Sequence, residues 1–248
     1  MDMGHSQPCK HQAMPTKDPA RPKKLRIAID GPAGAGKSTV ARKVADILGY
    51  TYLDTGAMYR ALAVLALDRK ISFDDHEALG EMAASVNMDA REDDGVFRVW
   101  IDGQEFTHRL RTPETDRAVK LISMAQPVRR VLVEIQRELA RRGGVVMEGR
   151  DITSVVIPDA EVKVFLTADV NERARRRWVD LKNRGIDMSF EEVLAEMQAR
   201  DAKDLEREWG KLVKVEDAVL IDSTDMSIDE VCRIIVGLCE ARQRCSTV

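Results

Sequence analysis

Short apolar runs alternate with longer amphipathic stretches along most of the chain. The run at residues 25–30 ends in a glycine-rich segment and is followed by a helical pattern over Lys37–Leu48, which predicts strand, loop and helix in that order. Similar short runs bounded by turn residues predict four more strands, at residues 50–54, 145–148, 162–166 and 218–222. Helical stretches separate most of these runs, a pattern typical of an α/β fold with a five-stranded parallel sheet between helices.

The segment at residues 87–107 breaks this pattern. Between residues 96 and 101 outward and inward positions alternate strictly, and Asp-Gly steps at residues 94–95 and 102–103 supply turn chemistry. This predicts a small antiparallel meander, which cannot continue a parallel sheet. We therefore expect an inserted subdomain of antiparallel strands and helix over residues 71–125, with the core formed by residues 25–70 and 126–248.

The amino-terminal segment, residues 1–24, combines four prolines with basic residues and has no apolar stretch that could serve as a signal peptide. We predict a disordered basic tail. His5, Cys9 and His11 could form a metal clip, but short tails often hold such residues by chance. The longest wholly apolar run, residues 61–67, is far shorter than the roughly 20 residues that a bilayer core requires, so we expect no membrane contact.

Composition narrows the class further. A chain of 248 residues fits one α/β domain with a small inserted subdomain. The formal net charge of -3 and an aromatic content of 4% offer neither a field nor stacking surfaces for nucleic acid, so we expect no nucleic-acid partner. The four cysteines form no C-x-x-C pair, which favours a reducing, cytoplasmic location. We expect a monomer.

Residues 31–38 read GPAGAGKS and match the phosphate-loop pattern G-x-x-x-x-G-K-[ST], directly after a predicted strand and before a predicted helix. Backbone N–H groups and the helix N-terminus would hold the phosphates, Lys37 would reach the β- and γ-phosphates, and Ser38 would ligate Mg²⁺. The predicted nucleotide-binding residues of this loop are Gly31, Pro32, Ala33, Gly34, Ala35, Gly36, Lys37, Ser38 and Thr39.

The phosphate loop does not identify the acceptor, because GTPases, motor ATPases and small kinases all have one. A GTPase would show an Asn-Lys-x-Asp or Thr-Lys-x-Asp motif near a late strand, and this chain has neither. Two arginines follow predicted strand ends, Arg60 after the second and Arg150 after the third. Arg60 alone could equally be a surface helix residue. Together the two arginines favour a second phosphate site at the carboxyl edge of the sheet.

Several motifs in a fixed order resemble the bacterial cytidylate kinases. They cover essentially residues 25–241 and lie at residues 31–39 (GPAGAGKST), 54–60 (DTGAMYR), 110–114 (LRTPE), 127–129 (PVR), 148–151 (EGRD), 158–160 (PDA) and 200–201 (RD). The resemblance implies a P-loop kinase fold, a nucleoside-monophosphate-binding insertion and a short helical lid over about residues 172–208. It also implies ATP with Mg²⁺ as phosphoryl donor and CMP or dCMP as acceptor.

The resemblance further implies a set of residues around CMP, namely Thr55, Tyr59, Arg60, Arg129, Arg150, Asp151, Arg200, Asp204 and Arg207. Arg60, Arg150 and Arg207 would bind the phosphate, and Asp204 with Arg200 the ribose hydroxyls. Asp151 beside Arg129 would complement the amino group and the acceptor atoms of cytosine, so CMP and dCMP should be preferred to UMP. Where the family commonly has a serine that contacts the base, this chain has Lys120, with Ser123 nearby.

Arg173, Arg176 and Arg177 share one face of a predicted helix that opens the lid. A charged run of this kind is usually a solvated face, but the family's lid arginines close over ATP, and the resemblance therefore implies Arg173 and Arg176 as ATP ligands. The implied catalytic residues are Lys37, Arg150 and Arg176. No general base is needed, because a phosphate monoester with a second pKa of about 6 is already ionised near neutral pH.

Two other functions remain open on the residues alone. One is a P-loop kinase of another phosphorylated small molecule. The other is a non-catalytic nucleotide-binding module, against which the intact Lys37, Ser38 and arginine set argue.

Overall fold

A computed structural model describes residues 24–93, 95–206 and 209–245 of the chain. The first 23 residues of the predicted tail, the proposed metal clip within it, the first residue of the 94–95 turn, and Arg207 all lie outside the described residues.

The chain forms strands and helices in the following order. The strands are β1 (Arg26–Asp30), β2 (Thr51–Asp54), β3 (Met88–Asp93), β4 (Val96–Ile101), β5 (Gln104–Glu105), β6 (Val145–Gly149), β7 (Val162–Thr167) and β8 (Val219–Asp222). The helices are α1 (Lys37–Leu48), α2 (Thr55–Asp68), α3 (His76–Ala84), α4 (Pro113–Ile122), α5 (Gln126–Ala140), α6 (Val170–Asn183), α7 (Phe190–Glu206) and α8 (Ile228–Cys245).

The core is a five-stranded parallel sheet with the strand order β2-β6-β1-β7-β8. Its register sets Asp30 of β1 beside Gly149 of β6 and Phe165 of β7, so the carboxyl ends of the strands meet at one edge. All five predicted strands are confirmed to within about two residues at each end. Apolar side chains of the strands are buried between the helices, because both faces of a parallel sheet are covered.

The predicted meander is also confirmed: β3, β4 and β5 form a separate antiparallel sheet. Its apolar face does not stand apart from the core. Phe97 of β4 packs edge-to-face on Tyr52 of β2, with ring centroids 5.7 Å apart, and α3 and α4 pack on α5 and α2. One continuous apolar cluster therefore joins the sheet to the inserted segment.

Helices α6 and α7 have a small apolar core of their own, formed by Ala174, Leu181, Val193 and Met197. Capping boxes begin two of the helices: Ser189 and Glu192 exchange reciprocal hydrogen bonds at the start of α7, as do Ser227 and Glu230 at the start of α8. A pair of helices with a separate core can move against the sheet more easily than an element packed into the main core.

Cys232 and Cys239 are buried free thiols of α8. Among the helices in the described part of the chain, none is long and apolar enough to cross a membrane.

Candidate active site

A cavity of about 1680 Å³ opens at the carboxyl edge of the sheet. The loop between β1 and α1 forms one wall, α4 the second, and α6 with α7 the third. Pockets for one drug-sized molecule measure roughly 300–1,000 Å³. The cleft is therefore large enough for two ligands side by side.

The phosphate loop leads into the N-terminus of α1, which lines this cleft. Gly36 directly precedes the helix in a left-handed conformation, with φ +90°, which glycine adopts without strain. Among the described residues no side chain caps the helix. The N–H groups of its first turn thus remain for an anion, and the helix dipole favours one there.

Lys37 lies beneath the loop with only 5% of its surface exposed. Its Nζ donates a hydrogen bond to the carbonyl of Pro32 at 2.8 Å. Burial lowers the pKa of Lys37 to about 7, the guanidiniums of Arg150 and Arg200 act in the same direction, and Glu148 opposes them. In the ligand-free protein this ammonium is therefore close to its titration point at neutral pH.

ATP binding is expected to take up protons above pH 7. Phosphate oxygens favour the ammonium form of Lys37 and raise its pKa, so a lysine that is neutral in the free protein gains a proton when ATP binds. Calorimetry of Mg·ATP binding at pH 8 in buffers of different ionisation enthalpy measures this uptake. Affinity should strengthen as the pH falls from 8 towards 6.5. Equal uptake by a Lys37→Met variant would contradict the assignment to Lys37.

Ser38 faces a carboxylate that the sequence analysis left without a role. Its Oγ donates to Oε1 of Glu148 at 2.6 Å, and the Tyr52 hydroxyl reaches the same oxygen at 3.4 Å. Glu148 ends β6, next to β1 and the loop. Burial raises the pKa of the nearby Asp54, and the negative charge of Glu148 raises it further. Hydroxyl and carboxylate oxygens are donors that Mg²⁺ accepts, so the residues present fit this ion.

Arg150 connects the sheet edge to the lid helices. Its Nε donates to Asp204 of α7 at 2.8 Å, and the Asp204 side chain is only 3% exposed. Beside it, Thr55 donates through Oγ1 to the carbonyl of Glu148 at 2.8 Å. Arg200 of α7 lines the cleft and is partly exposed to solvent. Desolvation by the surrounding protein, followed by the positive charge of Arg150, lowers its pKa to about 10. Several cationic groups thus converge on one region of the cleft.

Arg129 and Asp151 form a buried salt bridge. The Arg129 guanidinium lies between the rings of Tyr59 and Trp209, 5.9 Å and 5.2 Å from their centroids. Gly210 packs directly against this pair, and a Cβ at its position would lie 1.9 Å from Nη2 of Arg129. Its backbone is also left-handed, with φ +68°, which favours glycine. The structure therefore brings together the two residues implied for the base and holds them from three sides.

The two lid arginines implied for ATP occupy different environments. Arg176 lines the cleft and donates to the carbonyl of Ser223 at 2.7 Å and to Glu172 at 2.8 Å. Arg173 lies beneath the surface instead, where its Nη1 donates to the carbonyl of Ala33 at 3.1 Å and its Nη2 pairs with Asp201 at 2.7 Å. Arg173 thus ties the phosphate loop to α7, and Arg176 is the one on the cleft wall.

Lys120, at the position of the family's base-contacting serine, also lines the cleft. Its Nζ lies 3.9 Å from a carboxylate oxygen of Glu196 on α7, so this pair spans the opening between α4 and the lid helices. Ser123 Oγ donates to the carbonyl of Lys120 at 3.2 Å. Glu196 therefore lines the cleft together with Lys120.

Asp30 supports the site from below, a role that only its place at a strand end could have suggested from the sequence. Its buried carboxylate accepts hydrogen bonds from the N–H groups of Ile152 and Thr153 and from the Thr153 hydroxyl. Burial raises the pKa of Asp30 to about 6 against these bonds. The turn that follows Asp151 is thereby fixed to the end of β1.

A phosphate loop that faces an arginine-lined cavity at the edge of a parallel sheet defines the class, a P-loop kinase. The family described as cytidylate kinase matches this chain over residues 27–241, and the chain belongs to that family.

Curated relatives of this chain align with it over nearly their full length. The chain is 45% identical over 220 residues to a cytidylate kinase from Lysinibacillus sphaericus, covering 89% of this chain and 98% of that protein. It is 47% identical over 216 residues to a cytidylate kinase from Desulfitobacterium hafniense, covering 87% and 93%. A crystal structure of an uncharacterized protein from Eubacterium ventriosum matches with a TM-score of 0.51 and 16% identity, over 88% of this chain and 99% of that one. This last likeness concerns the fold alone.

Proposed function

We propose that the cleft transfers the γ-phosphoryl group of ATP to CMP or dCMP, giving ADP and CDP or dCDP. Membership of the cytidylate kinase family supports this reaction. The observation that carries the site assignment is the position of the phosphate loop opposite a cluster of arginines in one cavity. A kinase of another phosphorylated acceptor and a non-catalytic module are the alternatives, and no contact of the described residues favours either.

On the donor side, we assign ATP to the phosphate loop and the N-terminus of α1. The loop's N–H groups hold the β-phosphate, and Lys37 moves from the Pro32 carbonyl to the β- and γ-phosphates. Arg176 lies close to the same loop, because its Nη1 would be 4.0 Å from a Cβ atom if Gly36 carried one. We assign Arg176 to the charge that develops on the transferred group, and Arg173 to the support of the loop.

Ser38 and Glu148 would hold Mg²⁺ together with the nucleotide phosphates. When bound, the ion neutralises phosphate charge and orients the γ-phosphoryl group. The Ser38 hydroxyl would then release Glu148 and offer its oxygen to the ion.

On the acceptor side, we assign Arg60 and Arg150 to the phosphate of CMP, with Arg207 joining them by resemblance. The acceptor's phosphate oxygen attacks the γ-phosphorus, the bond from that phosphorus to the bridging oxygen breaks, and ADP leaves. The attacking oxygen carries no proton that must be removed near neutral pH. Catalysis then consists of positioning and charge neutralisation by Lys37, Arg150 and Arg176.

Asp151 and Arg129 are assigned to the base. A carboxylate accepts from the 4-amino group of cytosine, and a guanidinium donates to its ring acceptors. Uracil would place a carbonyl oxygen against the carboxylate instead. Asp204 and Arg200 are assigned to the ribose, and Thr55 and Tyr59 border the site.

We propose that residues 71–125 form the insertion that binds CMP and that a lid of about residues 172–208 closes over ATP, while residues 25–70 and 126–248 form the core. The separate apolar cluster of α6 and α7 supports an independently moving lid. Closure would exclude water and suppress hydrolysis of ATP. We also propose that the protein is a monomer and that it is cytoplasmic, a location with which the buried free thiols Cys232 and Cys239 are compatible.

A coupled assay of ADP release tests the function. The purified chain with Mg·ATP should release ADP rapidly with CMP and dCMP, more slowly with UMP, and least with AMP or non-nucleotide phosphates. CDP should be identified as the product. ATP binding without CDP formation would support the non-catalytic alternative, and a preference for another acceptor would support the other kinase.

A further inference from the structure

Asp116, in the first turn of α4, lies where three parts of the molecule meet. One of its carboxylate oxygens accepts a hydrogen bond from Nη1 of Arg60 on α2 at 2.5 Å. Its other oxygen lies 3.9 Å from guanidinium nitrogens of Arg177 and Arg184, which belong to the lid side. Nothing in the reaction described above uses this carboxylate.

The contacts of Arg60 fix the direction of its guanidinium. Nη1 donates both to Asp116 and to the carbonyl of Leu110 at 3.2 Å. The described residues give Nε and Nη2 no hydrogen-bond partner, while Arg60 lines the cleft with its side chain 13% exposed. An arginine held by one nitrogen has its other edge available for two parallel hydrogen bonds to a phosphate.

Charge gives Asp116 a second effect. Arg60, Arg177 and Arg184 are cations that would repel one another without a carboxylate between them. Burial disfavours the charged form of Asp116, yet Arg60 and then the two lid arginines outweigh it and hold its pKa below the usual range. The group therefore stays ionised at neutral pH.

We propose that Asp116 is a positioning residue for the acceptor phosphate. It holds Arg60 by Nη1, so that the opposite edge of the Arg60 guanidinium meets the phosphate of CMP, and it links Arg60 to the lid arginines. This rests on the proposed assignment of Arg60 to the acceptor phosphate. Asp116 itself does not touch the reacting atoms.

The test replaces the carboxylate by an amide of the same shape, Asp116→Asn. Asparagine keeps an acceptor oxygen but removes the charge that holds Arg60 in place, so the KM for CMP is expected to rise about tenfold. The KM for ATP should stay within about twofold of the parent value. Asp180→Asn is the matched control, because Asp180 pairs with Arg177 at 2.9 Å and with Arg184 at 3.6 Å but not with Arg60. It should leave the KM for CMP unchanged.

Cytidine, which lacks the phosphate, separates positioning from general damage. Its affinity, measured by calorimetry, should be the same in Asp116→Asn and in the parent chain. An unchanged or lower KM for CMP would overturn the inference, as would an equal loss of CMP, cytidine and ATP binding, or an equal effect of Asp180→Asn. Should Asp116→Asn not unfold cooperatively on heating, Asp116→Ser is measured in the same way.

Arg60→Ala distinguishes the two levels of the argument. If it weakens CMP binding while Asp116→Asn does not, the inference fails and the acceptor site survives. If Arg60→Ala leaves CMP binding unchanged, the assignment of Arg60 to the phosphate is wrong and the inference fails with it.

Discussion

Replacement of Lys37 by alanine is expected to lower kcat for CDP formation by at least about 10²–10³-fold, the loss typical when one preorganised charge-stabilising donor is removed. Its buried side chain lies at the start of α1, directly below the loop to which we assign the phosphates. In water such a charge would be screened, whereas in a cleft from which water is excluded it would stabilise the developing charge more strongly.

Single-turnover measurement of CDP formation at saturating Mg·ATP and CMP isolates this effect from binding. Lys43→Ala is the matched control, because Lys43 lies on the same helix but is exposed and pairs with Asp229 at the surface. That variant should turn over at the parent rate. A Lys37→Ala variant that retained more than about a tenth of the parent kcat would show that another group neutralises the transferred phosphoryl group.

Replacement of Asp151 by alanine is expected to abolish most of the preference for CMP over UMP. Sites built of buried polar groups reject a substrate that leaves them unpaired by up to about 10⁴–10⁵-fold, whereas shape alone yields roughly 10–200-fold. Without the carboxylate, the remaining discrimination should fall to the lower range. The ratio of kcat/KM for CMP to that for UMP, measured side by side, gives the answer.

The same change should also destabilise the fold. Removing one partner of a buried ion pair costs about 3–5 kcal/mol, and Asp151→Ala leaves the Arg129 guanidinium, 5% exposed, without its carboxylate. Asp151→Asn keeps the shape and is the variant of choice if the alanine variant melts below the assay temperature. Asp159→Ala serves as the control, because its carboxylate is 73% exposed and pairs only at the surface with Arg26. An Asp151 variant that keeps the CMP-over-UMP ratio of the parent would contradict the assignment of this residue to the base.

The prediction of the phosphate loop from sequence needed only local information. Residues 31–38 are contiguous, and both the glycine-rich turn and the start of α1 can be recognised from this one stretch of sequence. The strands were predictable for a similar reason, since short apolar runs between helical patterns leave few alternatives to a parallel sheet. The convergence of Arg60 and Arg150 followed from the rule that strand ends in such sheets share one edge.

Contacts between distant elements were not predictable in this way. Helical spacing places Arg173 and Arg176 on one face of α6, and only the packing of α6 on α7 and the loop buries the first and leaves the second at the cleft. The bond between Ser38 and Glu148 joins residues 110 positions apart. Trp209 packs on the main core, and the fold places the Arg129 guanidinium over its ring.

The amino-acid sequence by itself determined the fold class, the phosphate loop and the set of charged residues from which the cleft is built, because these depend on periodicity and on contiguous motifs. The resemblance already implied Arg129 beside Asp151, but only the tertiary structure decided the partners of other charges. It paired Arg150 with Asp204 and Asp116 with Arg60. Electrostatic energy depends on distance and burial, and neither quantity is written in the spacing of residues along a chain.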